Sequence, residues 1–96
     1  MIPVIATEIE FYLCGTEPDW HSVFAGFDLY RFERERGEGQ WEFSLNPSRQ
    51  IETIVADTAI LRDKLQALGA DFSAKPLPHQ PGSGLHIHVH IEDEEG

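Results

Sequence analysis

Apolar and polar positions alternate near the start of the chain. In "VIATEIEFYL" (residues 4–13), Ile9 and Phe11 fall on one side and Glu8, Glu10 and Tyr12 on the other, the period of a half-buried strand. "CGTEPDWHSVFAG" carries turn formers without a clean period and reads as a long loop. "FDLYRFERE" (27–35) predicts a second strand, with Phe27, Leu29 and Arg31 opposing Asp28, Tyr30 and Phe32. After the turn "RGEGQ", "QWEFSL" (40–45) predicts a third, with Trp41, Phe43 and Leu45 facing one way and Glu42 and Ser44 the other. The period then changes. In "NPSRQIETIVADTAILRDKLQALGA" the apolar positions Ile51, Ile54, Val55, Leu61, Leu65 and Leu68 form a helical stripe. Asn46 or Ser48 suits its cap, Pro47 its first turn and Gly69 a left-handed stop. A strand is expected near "DFSAKP", followed by the Pro- and Gly-punctuated loop "LPHQPGSG". The last strand is "LHIHVHI" (85–91), with Leu85, Ile87, Val89 and Ile91 on one face and His86, His88 and His90 on the other.

These elements predict an α+β fold: an antiparallel sheet of about five strands with one long amphipathic helix packed on one face. A chain of 96 residues suits a single domain over 1–96, with 92–96 as an acidic tail. The helix covers one sheet face, so the other is left to carry the polar side chains.

Composition narrows what that face can meet. With 17 acidic against 7 basic residues, the formal charge is −10, which disfavours nucleic acid and anionic membrane surfaces and favours cations. The single cysteine, Cys14, leaves no intramolecular disulfide framework and points to a reducing compartment. Glu8 and Glu10 interrupt the apolar start and no basic segment precedes it, so a signal peptide is not expected. No stretch approaches membrane-spanning length. The expected location is the cytoplasm.

The polar face gathers metal-ligand residue types from separate strands: Glu8 and Glu10, Glu42, and His86, His88 and His90, with Glu35 at the edge of the turn before Glu42. Carboxylates suit Mg²⁺ or Mn²⁺, and added imidazole shifts the preference toward Mn²⁺ or Zn²⁺. A strand rises about 3.3 Å per residue, so His86 and His90 have Cα atoms roughly 13 Å apart and do not share one ion. Glu8 and Glu10, roughly 6.6 Å apart, can serve one ion or two neighbouring ions. The competing reading is a wet sheet face whose glutamates are merely solvated. Trp41, Phe43 and the helix leucines read as core, His21 and His79 are given no role, and Cys14 has no basic neighbour to make it a reactive thiol.

Three segments in series, "ATEIEFYL", "EGQWEFSLNPS" and "AKPLPHQPGSGLHIHVH", resemble the catalytic core of glutamine synthetase, in the same order. The resemblance implies a partial-barrel sheet of that family. It implies that Glu10, Glu35 and Glu42 form the metal site on the amino-acid and ammonia side. Glu8 and His86 would then contribute to a second ion bridging nucleotide phosphates, while His88 matches the second histidine of the motif. Gly82, Ser83 and Gly84 would line the substrate or nucleotide site, with Mg²⁺ or Mn²⁺ and ATP as cofactors. His90 lies beyond the motif, and His88 or His90 is a candidate replacement for the family's late glutamate, which would favour Mn²⁺ or Zn²⁺ over Mg²⁺. Pro81 stands where the family has an asparagine, and none of Arg31, Arg34, Arg36, Arg49 or Arg62 matches the family's phosphate-binding arginines.

The leading expectation is a miniature glutamine-synthetase-like domain that binds divalent metal without complete ligase machinery of its own, and no catalytic residue is assigned. The alternative is an ATP-dependent carboxylate–amine ligase, or a phosphate-ester hydrolase, completed by oligomerisation or a partner subunit and acting on a nucleotide or small amino acid. A third reading is a decayed fragment kept as a structural or interaction module.

Overall fold

The computed structural model describes residues 2–73 and 84–92. Its elements are β1 (Ile2–Tyr12), α1 (Trp20–Phe24), β2 (Leu29–Arg34), β3 (Gln40–Leu45), α2 (Ile51–Ala67) and β4 (Leu85–Glu92). The strands form one open antiparallel sheet in the order β2-β3-β1-β4. Among the described residues the strands number four, where about five were expected. Of "DFSAKP" only Asp71–Ser73 is described, and there Tyr12 and Asp71 form an isolated bridge, exchanging backbone hydrogen bonds of 3.0 and 2.8 Å. The Asp71 carboxylate then accepts from Ser73 N–H at 2.8 Å, the bond of an Asx turn. Residues 74–83 and 93–96 lie outside the described residues, and Glu92, expected in the tail, is the last residue of β4.

One face of the sheet holds the core. Ile9, Phe11, Trp41, Phe43 and Leu45 are buried there against Ile54, Leu61 and Leu65 of α2. The segment expected as a long loop contains α1, whose start is capped by Asp19: its carboxylate accepts from Ser22 Oγ at 2.8 Å and from Ser22 N–H at 3.5 Å. This turn buries Val23 and Phe24. It also brings Trp20 and Phe24 onto Phe32, with ring centroids 4.7 and 4.9 Å away. Lys64 of α2 donates to the carbonyls of Ser22 and Val23 at 2.9 and 2.8 Å, tying α1 to α2 through orphan carbonyls at a helix end.

The stripe of α2 is narrower than its periodicity suggests: Ile51, Val55 and Leu68 are exposed. Its N-cap is Gln50, whose side chain caps no backbone N–H and accepts instead from Thr53 Oγ1 at 3.3 Å. Neither expected cap sits at that position: the Ser48 hydroxyl accepts from Gln50 N–H at 2.9 Å, one step ahead of the helix, and Asn46 donates its amide to Asp28 at 2.8 Å. The stop at Gly69 is as expected. With φ +102°, Gly69 donates to Gln66 and Ala70 to Leu65, the paired bonds of a Schellman turn.

Strict alternation fails in β2. The register passes from Leu29 opposite Leu45 to Arg31 opposite Ser44 through a bulge. Leu29 and Arg31, expected on one side, therefore face opposite ways. Phe32 enters the core opposite Phe43, while Arg31 and Glu33 join the polar face. On β4 the apolar row is uncovered. Leu85, Ile87, Val89 and Ile91 are 57, 59, 61 and 49% exposed, because among the described residues α2 packs mainly over β1 rather than over the edge strand.

Candidate metal centre

The pairing registers set the polar face out in rows. Directly opposite one another lie Glu10 of β1, Glu42 of β3 and Glu33 of β2, with Gly84 beyond Glu10 on the β4 side. The next row is His86, Glu8, Ser44 and Arg31. Beyond it His88 pairs with Ala6, and His90 with Val4. Neighbouring strands are about 4.8 Å apart, so long side chains within a row meet.

The carboxylates converge on Glu42. Ligand oxygens of Glu33, Glu35 and Glu42 lie within 4.8 Å of one another. Glu42 is pushed up from 4.5 to about 8, first by a hydrogen bond with the Glu35 carboxyl, then by desolvation, the Glu35 charge and the Glu8 carboxyl. Crowded carboxyls behave this way because they cannot all be ionised without a positive partner. Glu10 is also raised, chiefly by desolvation and then by Glu35; His86 and Arg36 act against the shift. Glu10 is held in place by Gln40, whose Nε2 donates to its Oε2 at 3.1 Å while the Gln40 Oε1 accepts from Gly37 N–H at 2.9 Å.

The imidazoles meet Glu8. His88 Nε2 lies 3.2 Å from Glu8 Oε1, and His86 Nδ1 lies 3.7 Å from Glu8 Oε2. Gly84 lets the β4 entrance come close: a Cβ there would stand 3.3 Å from His86 Nε2 and 3.5 Å from Glu10 Oε1. The face thus offers an all-carboxylate group around Glu42 and a mixed carboxylate–imidazole group around Glu8. Glu42 links them, since it also hydrogen-bonds the Glu8 carboxyl.

Of the residues expected at the site, Glu35 and Glu42 share with Glu33 the one group, among the described residues, whose ligand atoms lie within 4.8 Å of one another; Glu8, His86 and His88 meet pairwise at Glu8, and Glu10 lies beside Glu42 on the ladder. His90 is not among them; its place opposite Val4 is four residues from Glu8 along β1. Gly82 and Ser83 lie outside the described residues. Two contributors were missed. Glu33 reaches the face only because of the β2 bulge, which no local pattern announces. Gln40 is buried at 1% exposure, and its position directly before the apolar Trp41 gave no sign of its hold on Glu10. Glu33, Glu35 and Glu42 are hard oxygen donors of the type that divalent ions take, and the two imidazoles lie apart from them at Glu8.

Compared with protein-family models and with curated proteins, the sequence matches none. Among solved structures, a crystal structure described as a novel glutamine synthase homolog superposes on 92% of this chain with a TM-score of 0.67 and 20% sequence identity. The match occupies 27% of that chain, so this chain spans about a quarter of its length. The fold is therefore glutamine-synthetase-like. Among the described residues no helix is long and apolar enough to cross a membrane.

Proposed function

We propose that this chain is a divalent-cation-binding domain of glutamine-synthetase-like fold, with Glu42 as the hub of its ligand cluster. The observation that carries this reading is the row of Glu10, Glu42 and Glu33 side by side on three paired strands. Like charges directly opposite are destabilising in a sheet. Beside that row the Glu42 carboxyl holds its proton to about 8, first through its hydrogen bond with Glu35, then through desolvation, the Glu35 charge and the Glu8 carboxyl. A divalent ion offers the countercharge that the nearby cations do not: Arg31 is paired with Glu33 at 3.7 Å, and Arg36 acts on Glu10 only through its field.

Glu33, Glu35, Glu42 and Glu10 would favour Mg²⁺ or Mn²⁺; Glu8 with His86 and His88 would favour Mn²⁺ or Zn²⁺. A bound ion would supply charge neutralisation and a docking point for anionic oxygens such as those of a nucleotide phosphate. Phosphoryl transfer needs further cationic groups on the moving phosphoryl. Ligase chemistry would have to draw these from elsewhere, so the reading stops at ion binding. Isothermal titration and thermal melts with Mn²⁺ after chelator treatment test it. An ion at a hundredfold excess over its Kd stabilises the native state by about 2.7 kcal/mol, and Glu10→Ala should blunt that response. A wild-type melt indifferent to Mn²⁺, Mg²⁺ and Zn²⁺ would refute the proposal.

A further inference from the structure

β4 is an open edge, and its backbone shows which groups are unsatisfied. Glu10 N–H donates to Gly84 O at 3.0 Å, and Tyr12 N–H points to the same side of β1, toward Asp71. In an antiparallel ladder the residues bonded to a given neighbour recur every second position. With Glu8 opposite His86 and Val4 opposite His90, the histidines of β4 turn their backbone groups toward β1. Those of Leu85, Ile87, Val89 and Ile91 point outward, to no strand among the described residues.

The two sheet edges are not alike. β2 carries a bulge together with Arg31, Glu33 and Arg34, the features that discourage edge-to-edge pairing. β4 has no charge, proline or bulge from Leu85 to Ile91. Its four aliphatic side chains, each about half exposed, present on the order of a few hundred Å² of contiguous apolar surface, comparable with the largest patch of a typical monomer, which is often functional. An open groove of about 470 Å³, lined by Thr7, Val55, Thr58, Leu85 and Ile87 among others, carries this surface onto α2.

The strand is self-complementary. Two copies of β4, antiparallel about a two-fold axis through His88, pair Leu85 with Ile91 and Ile87 with Val89 of the second copy. All the outward backbone groups are then used, and aliphatic meets aliphatic on the helix side. An axis through Val89 would leave Leu85 facing a residue beyond β4. On the polar side the His88 pairing sets His86 opposite His90 of the second copy. Such non-hydrogen-bonded pairs bring Cα atoms to about 4.5 Å, whereas His86 and His90 within one strand are roughly 13 Å apart.

We infer that the chain forms a two-fold dimer through β4 in which His90 of each copy completes the cation cluster of the other, beside His86 and Glu8. This rests on the cation-binding reading for its ligand part, and the two can fail separately. Sedimentation velocity should show a dimer, and Val89→Lys, at a site already exposed, should give a folded monomer by circular dichroism. Mn²⁺ titration followed by electron paramagnetic resonance should show weaker binding for both His86→Ala and His90→Ala. Mixing these two variants should return wild-type affinity to half the sites of each mixed dimer, because one of its two clusters then holds both histidines. A monomeric wild type that still binds Mn²⁺ would overturn the dimer and leave the cation reading standing. A dimer that survives Val89→Lys would put the interface elsewhere. A dimer without Mn²⁺ binding would refute the cation site and the shared histidine together.

Discussion

Replacing Glu42 by glutamine should stabilise the metal-free protein, and only over a defined range of pH. In the folded chain the Glu42 carboxyl is raised from 4.5 to about 8. Between those values the folded state keeps a proton that the unfolded state has released, so raising the pH favours unfolding. Below about 4.5 both states hold the proton and nothing is lost; above about 8 both are ionised and the full destabilisation is present. In a site sealed from water a carboxyl moved this far would destabilise by roughly 5 kcal/mol. This face is open to solvent, and screening reduces the effect to on the order of 1–2 kcal/mol. Glutamine keeps the shape and a hydrogen-bonding end but cannot ionise. Urea denaturation of chelator-treated wild type and Glu42→Gln, measured from pH 4 to 9, should give curves that coincide at the acidic end and separate by that amount near pH 8. Saturating Mn²⁺ should reverse the order, stabilising the wild type and leaving the variant nearly unmoved. Parallel curves across the whole range would refute the account of a strained carboxyl cluster.

Two further outcomes test the scaffold. Gln40→Ala strips the partner from the buried Gly37 N–H and frees Glu10; it should destabilise by about 1–3 kcal/mol and weaken Mn²⁺ binding in the same titration, and a variant of unchanged stability would contradict the bridging role. Leu61→Ala, at a fully buried position, should lower unfolding free energy by about 2–5 kcal/mol, whereas Val55→Ala, mostly exposed on the same helix, should stay within about 0.5 kcal/mol; equal effects would mean that α2 packs with another face.

The strands and the long helix were legible from the chain because side-chain period is a local property. β3 has the expected bounds, β4 differs by one residue, and Gly69 ends α2 where a left-handed residue was required. The division of Glu8, Glu10 and Glu42 from Ile9, Phe11 and Phe43 followed from the same alternation. Pairing was not legible in this way. Which strands are neighbours, and in what register, depends on contacts between residues far apart in sequence, and β1 lies centrally between two strands that follow it much later. Only that arrangement sets Glu10, Glu42 and Glu33 in one row and brings Glu8 to His86 and His88. The bulge in β2 shows the difference most clearly. One extra residue reverses the faces of everything after it, adding Glu33 to the cluster and sending Phe32 into the core, and the packing of Phe32 against Trp20, Phe24 and Trp41 accompanies that reversal. The placement of α2 over β1 is likewise a tertiary choice. It leaves the apolar side of β4 exposed, although its sequence reads as core, because a single helix cannot cover every strand of an open sheet.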